Sequence, residues 1–520
     1  MYNFDKVVTR RGSGCVKWDA QPPVEADMDN VIPMWVADMD FEAAPFIRQA
    51  IQRRIDHGVF GYTHVPESFY KATIDWFRRR HGVTYDRNWF IYTTGVVPAM
   101  SVAIKALTMP GERVLILSPD YNCFFSSIRN NGCEVAESRL LRFPRNNGQS
   151  SSSMSLCQSD ENTRFSIDWP SFEAICADDK TTVFLLCNPH NPTGRVWTRE
   201  ELQRMADICH QHHVRIISDE IHCELIMPGH TFCPMGTVDP EAIILNSPSK
   251  SFNIAGLQMA NIICQDTATR RRLDRAININ EVCDVNPFAP EAVKAAYNDS
   301  EDWLDALNLY LWDNYTALCD FVAQHLPQWQ VMPLEGTYLV WVDVSAALSS
   351  CPVCCDSVAT YCDWLLKETR VWLNPGTMYG PQSGEGYVRI NIACPRSLLM
   401  EALRRIAQFA SPCPVPAPSP SGVPADGGSP APTGSIATVP GGFAAGPSPS
   451  PAPGASPLGS PADGGSPASA ASPASVPGGF AAGPSPASAV PAPSPSGVPA
   501  DGGSPAASPA IVPSGFAAGS

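Results

Sequence analysis

A chain of 520 residues, 44% of them hydrophobic, is long enough for two or three domains with sizeable cores. A net charge of −15 argues against non-specific binding to nucleic acid or to an anionic membrane surface. The 51 prolines are too many for one globular enzyme and gather at the C-terminal end, so the composition averages two different polymers.

Residues 1–45 are irregular and include Asn30-Val-Ile-Pro-Met-Trp-Val-Ala-Asp-Met-Asp-Phe41, with two acids set between apolar residues. Ala44 to His57 reads as an amphipathic helix stopped by Gly58, and Phe60-Gly-Tyr-Thr63 as an aromatic loop. Phe69 to Arg80 is a second helix whose arginines suit the C-terminal end of its dipole. Phe90 to Thr94 is a strand, and Gly95-Val-Val-Pro-Ala99 opens a helix running to about Leu107. Strand, glycine and helix N-terminus form a ready anion site. Arg113–Leu117, Thr182–Cys187, Val214–Ser218, Ala242–Leu245 and Asn261–Cys264 are short, nearly continuous apolar runs. Such runs are expected of strands in a sheet buried on both faces. Tyr121–Asn130 and Glu200–His212 read as helices between them, an α/β pattern. Phe143 to Arg164 interrupts it as a Ser-, Asn- and Gln-rich surface loop. Pro290 to His325 is helical, and Thr337–Val344, Asp356–Glu368, Gly386–Ala393 and Arg396–Ala410 alternate strand and helix in a smaller α+β unit.

After Ser411 the chain has no Lys or Arg and repeats itself about every 37 residues. Pro-Ala-Asp-Gly-Gly-Ser-Pro-Ala begins at Pro424, Pro461 and Pro499, and Gly-Phe-Ala-Ala-Gly at Gly442, Gly479 and Gly515. Units with so few apolar residues cannot stack into a solenoid, so a disordered, partly polyproline-like tail is expected. The expected organisation is 1–45 joining a small domain, 46–285 the large domain, 286–410 the small domain and 411–520 the tail. The 18 cysteines mostly lie in apolar or helical runs, where cysteine is a small hydrophobe. No zinc-type spacing appears, so no metal is expected. Met1 to Trp18 has no signal-peptide core and no apolar run reaches a membrane span, so a cytoplasmic setting is expected.

The chemistry converges on strand ends. Lys250 lies in Asn246-Ser-Pro-Ser-Lys-Ser-Phe-Asn-Ile-Ala-Gly-Leu-Gln258 beyond an apolar run. A lysine in apolar surroundings loses its proton readily and attacks a carbonyl. The hydroxyls of Ser247 and Ser249 suit a phosphate. A carbonyl and a phosphate together suggest pyridoxal phosphate, held as a Schiff base on Lys250. Asn188-Pro-His-Asn-Pro-Thr-Gly194 and Ser218-Asp-Glu-Ile-His222 also follow strands, where ligands gather in open α/β sheets. A carboxylate such as Asp219 can keep the pyridine nitrogen protonated. Asn191 can donate to the ring oxygen, and Tyr121 can stack on the ring.

These motifs, with Asn3-Phe-Asp-Lys-Val-Val, Pro33-Met-Trp-Val-Ala-Asp-Met-Asp-Phe41, Phe60-Gly-Tyr-Thr63 and Val388-Arg-Ile-Asn391, resemble those of fold-type I pyridoxal-phosphate enzymes of the class I/II aminotransferase superfamily. Residues 1–410 most closely resemble the MalY/PatB group of cystathionine β-lyases. The resemblance implies a large domain with a mostly parallel sheet plus a smaller α+β domain. It implies that Lys250 carries the cofactor, Asp219 pairs with the ring nitrogen and Asn191 with the ring oxygen. His222 stands where many aminotransferases have a tyrosine. Val96, Val97, Ser247 and Ser249 would hold the phosphate, Tyr121 would stack on the ring, and Arg389 would bind the substrate carboxylate. Ala37, within the Trp35–Asp40 stretch, would line the substrate entrance. Tyr62 would reach a neighbouring subunit's phosphate, implying a homodimer. Gln258 replaces an arginine common in aminotransferases and fits the lyases.

The implied reaction is β-elimination from a cysteine thioether such as cystathionine, with Lys250 taking the Cα proton and a thiolate leaving Cβ. An aminotransferase shares every step up to loss of that proton. A regulatory protein acting through partner contacts is the alternative of another class.

Overall fold

The computed structural model describes residues 2–410 apart from residues 25, 27, 143–163, 280–283, 350 and 352–354. The expected loop at 143–164, save Arg164, and the expected tail lie outside the described residues.

Seven strands form the main sheet. Their spatial order is Phe90–Thr93, Ala260–Ile263, Ile243–Asn246, Arg215–Asp219, Thr181–Cys187, Arg113–Ser118 and Glu134–Arg139. Neighbours pair in parallel except Ala260–Ile263, which is antiparallel to both of its partners. The mostly parallel α/β sheet is therefore the expected one. Ile243–Asn246 is buried along its whole length and Thr181–Cys187 nearly so, which explains their continuous apolar sequences. Fully burying one such Leu or Ile contributes about 1.5–3 kcal/mol. One core contains Val96, Ile104, Ile116, Phe124 and Leu273. The other contains Leu115, Phe184, Met205 and Ile216. Val114 and Leu115, consecutive in one strand, point into different cores, as the two-residue period of a strand requires.

Helix boundaries follow local chemistry. Pro45–His57 begins on proline and ends at Gly58 in the left-handed region, φ 76°. Arg199–Gln211 is opened by a capping box between Thr198 and Glu201. The helical stretch from residue 290 to 325 is two helices, Ala289–Asp299 and Glu301–His325.

A second, antiparallel sheet has the order Gln330–Val331, Leu339–Asp343, Tyr387–Asn391, Asn374–Pro375. From the N-terminal stretch, Ile32–Pro33 pairs in parallel with Val371–Trp372. No helix among the described residues is long and apolar enough to cross a membrane.

Candidate active site

Four adjacent parallel strands finish at the same end of the main sheet, and each carries a residue singled out above at or just beyond its C-terminus. After Arg113–Ser118 comes Tyr121, the N-cap of the helix Asn122–Asn130. After Thr181–Cys187 comes Asn191, in a loop folded on itself by the Gly194 N–H donating to the His190 carbonyl at 2.9 Å. Asp219 is the last residue of its strand and stands in register with Cys187. After Ile243–Asn246 comes Lys250, in a turn closed by the Ile254 N–H on the Ser249 carbonyl at 3.0 Å. Parallel pairing alone brings these four positions together from 130 residues of sequence.

Asp219 is 3% exposed. Its Oδ1 accepts the Ile221 N–H at 3.1 Å, and among the described residues no cation pairs with it. Burial pushes its pKa up to about 7; Asp120 adds to the rise and Lys250 opposes it. A buried carboxylate lacking a cation fits a protonated ring nitrogen. Arg389, also 3% exposed, is the reverse case. It donates to the Asn191 Oδ1 at 3.2 Å and to the Trp35 carbonyl at 2.7 Å, and lies 4.7 Å from the centre of the Tyr379 ring. Its Nε is buried and unpartnered, and no described carboxylate pairs with it. A buried guanidinium without an anion fits a substrate carboxylate.

Lys250 is partly buried and its Nζ donates to the Ala37 carbonyl at 2.6 Å. The Tyr338 hydroxyl donates to the same oxygen at 2.9 Å. Burial lowers the lysine's pKa, Asp38 opposes the shift and Arg389 reinforces it. His222 is 3% exposed, and its Nδ1 has no partner. Burial pushes its pKa down to about 3, with Lys250 and Arg389 adding, so the ring is neutral near pH 7. Burial raises the Tyr121 hydroxyl well above the ordinary phenol range.

Val96 and Val97 open the helix Val96–Leu107 behind Gly95, with Val96 buried and Val97 partly open. The Ser247 hydroxyl is already engaged: it donates to the Met259 carbonyl at 2.6 Å and accepts the Ser249 N–H at 3.1 Å. It shapes the lysine turn, leaving the helix terminus and buried Ser249 as freer groups for a phosphate. Tyr62 is 98% exposed and touches none of the other site residues in this chain. Gln258 is exposed in the left-handed region, φ 53°, with its carbonyl accepting from the Tyr92 hydroxyl.

The family model for class I and II aminotransferases matches residues 29–406. The chain belongs to the class I and II aminotransferase family. Within that family it is 36% identical over 409 residues to cystathionine beta-lyase PatB of Bacillus subtilis, covering 78% of this chain and 98% of PatB. It is 34% identical over 404 residues to protein MalY of Escherichia coli, covering 77% of this chain and 96% of MalY. A crystal structure of the PLP-bound C–S lyase from Staphylococcus hominis superposes with a TM-score of 0.69 at 30% identity, covering 79% of this chain and 99% of that one. The uncompensated Asp219, Arg389 and His222, with the amine of Lys250 between them in sequence order, form a donor set that fits pyridoxal phosphate and an amino acid.

Several residues of this family site were not assigned from sequence. Asn253 and Asn391 bond the Trp35–Phe41 stretch, and Tyr338 shares the Ala37 carbonyl. The two asparagines lie inside the lysine and arginine motifs, which is a signal. Tyr338 carries no local signal. His81, Cys223 and Glu224 also approach one another, all ligand-type atoms within 4.8 Å. Glu224 there already accepts from Trp76 at 2.6 Å and pairs with His81 at 2.7 Å and Arg80 at 3.5 Å.

Proposed function

We propose that the chain is a pyridoxal-phosphate-dependent carbon–sulfur β-lyase that acts on L-cystathionine or related cysteine thioethers and gives a thiol, pyruvate and ammonia. The observation that carries this reading is the buried, anion-free Arg389 joined to Asn191 at the strand ends that hold Asp219 and Lys250. Likeness to PatB supports the choice of lyase over aminotransferase.

Bound there, the cofactor supplies an electron-withdrawing ring that spreads negative charge from the substrate Cα. The protein residues do the rest. Asp219 holds a proton at the ring nitrogen, and Asn191, its oxygen occupied by Arg389, offers Nδ2 to the ring oxygen. Arg389 fixes the substrate carboxylate and so the direction of the Cα–H bond. Lys250 Nζ, deprotonated more readily because it is buried, takes the Cα proton. His222 stays neutral and adds no charge. Tyr121, held as a phenol, would stack on the ring. The helix start at Val96 and Val97, with Ser249, would hold the phosphate.

A homodimer is part of this reading. Phe46, Ile55, Val59, Phe60 and Tyr62 leave exposed apolar surface, of the kind that subunit contacts cover, and Tyr62 would serve the partner's site. The described cysteines are free thiols, which suits a cytoplasmic, reducing setting. The catalytic body in this reading is residues 1–410, divided as expected above, and truncation after Ala410 is expected to leave turnover unchanged. The deciding test is keto-acid-independent pyruvate release from L-cystathionine. Amino transfer that requires 2-oxoglutarate, without pyruvate release, overturns the lyase reading.

A further inference from the structure

The Ala37 carbonyl, the one hydrogen-bond acceptor of the Lys250 amine among the described residues, belongs to an irregular stretch 213 residues away. Irregular backbone does not hold an oxygen at 2.6 Å from an amine by itself. Something must fix its register relative to the lysine. From the lysine's own turn, the side chain of Asn253 does so. Its Oδ1 accepts the Met39 N–H at 3.1 Å, and its Nδ2 donates to the Met39 carbonyl at 3.0 Å and the Phe41 carbonyl at 2.8 Å. Asn253 lies on the same turn as Lys250, with its N–H directed at the Lys250 carbonyl at 3.4 Å. Lys250, Asn253, Met39 and Ala37 thus close a ring in which the amine and its acceptor move together. Asn391 Nδ2 donates to the carbonyls on either side, Val36 at 2.5 Å and Asp38 at 2.7 Å, and the Tyr338 hydroxyl donates to the Ala37 carbonyl itself at 2.9 Å; both residues belong to the antiparallel-sheet region, so among these contacts Asn253 is the one that ties the stretch to the lysine turn. Asn253 adopts φ 55°, a left-handed conformation that asparagine tolerates far better than branched residues do.

We propose that Asn253 is a positioning residue for proton transfer at Lys250. By clamping Met39 and Phe41 it sets the Ala37 carbonyl, which takes one N–H of the amine and turns the remaining lone pair toward the substrate Cα. After transfer, the same carbonyl stabilises the ammonium. This rests on the functional reading above only as far as Lys250 being the base, a step common to elimination and amino transfer.

The test uses the cofactor-loaded enzyme and L-alanine, which has a Cα proton but no leaving group. Asn253→Gly keeps the left-handed backbone and removes the amide. Three readouts are compared with wild type: Cα–H exchange of L-alanine in D2O by NMR, L-alanine affinity from spectral titration, and hydrogen exchange at the Met39 amide. The expected result is a loss of Met39 protection and Cα–H exchange slowed about 10- to 100-fold, the scale of a small misplacement of a reacting group. Affinity changes by less than about threefold, because Arg389 is untouched. Asn253→Asp keeps the acceptor for Met39 but loses both donors, and is expected to slow Cα–H exchange and lower Met39 protection in the same direction, again with affinity within about threefold. Wild-type Cα–H exchange with Met39 protection lost would make the clamp merely structural and overturn the proposal. So would a slowing matched by an equal loss of affinity, or unchanged Met39 protection. If wild-type enzyme exchanges Cα–H but releases no pyruvate from cystathionine, the lyase reading fails while the role of Asn253 stands.

Discussion

Arg389 donates to Asn191 across 3.2 Å and joins the antiparallel sheet to the loop after a central parallel strand. The bond has two chemical consequences. It orients the asparagine so that Nδ2, a donor, is left for a ligand oxygen. It also holds the guanidinium with one edge committed to protein and Nε unpartnered.

Arg389→Lys keeps the charge and loses the planar fork. The expected outcome is KM for L-cystathionine raised about 10- to 100-fold, with kcat reduced less, since one charge-assisted hydrogen bond is worth about 1.5–3 kcal/mol. Steady-state kinetics check this. An unchanged KM would place the substrate carboxylate elsewhere.

Lys250→Ala removes the base and the covalent anchor together. Pyruvate release and the absorbance of lysine-linked cofactor are both expected to vanish. Retained turnover would remove Lys250 from the mechanism.

Asp219 gives a pH signature. In cofactor-free protein its pKa is raised by burial to about 7, against an ordinary 3.8. Between those values the folded state holds the proton that the unfolded state has lost. Stability therefore falls as pH rises through this window and levels off above it. Asp219→Asn removes the ionisation. The variant is expected to gain stability over wild type from pH 4 upward, approaching its full advantage above about pH 7. Urea melts of the cofactor-free proteins at pH 4.5, 6 and 8 measure the gap; a gap independent of pH contradicts the burial argument. With cofactor loaded, the same variant loses the ring-nitrogen partner and most of its turnover.

Gly194 closes the Asn188–Gly194 loop at φ 74°, and its carbonyl accepts the N–H groups of Glu335 and Gly336 at 2.9 Å. An added Cβ would lie 2.9 Å from Leu334 Cδ1. Gly194→Ala is expected to cost about 1–3 kcal/mol in denaturant unfolding from the conformation and the contact together. A change under about 0.5 kcal/mol would contradict both the conformational and the contact cost.

The central strands were legible because a parallel strand covered on both faces must be apolar throughout. The edge strand Glu134–Arg139 was not, since its exposed Glu134, Glu137 and Arg139 interrupt the apolar signal. The helix Thr267–Asn278, with three successive arginines, hid its buried Leu273, Ala276 and Ile277 in the same way. The reversed direction of Ala260–Ile263 leaves no mark on its composition. In the site, Lys250, Asp219, Asn191 and Arg389 were readable because each stands in a motif near a strand. The Ala37 carbonyl and Tyr338 were not, because a backbone acceptor has no residue type and Tyr338 meets it from 301 residues away. Ser247 shows the converse: the residue was legible, but its hydroxyl is used within the turn.

The most direct test of the central claim is pyruvate release from L-cystathionine by purified protein with pyridoxal phosphate, with and without 2-oxoglutarate. The account predicts pyruvate and a thiol in equal amounts, unaffected by the keto acid. No pyruvate, with glutamate formed only when 2-oxoglutarate and an amino donor are supplied, would contradict it and make the protein an aminotransferase.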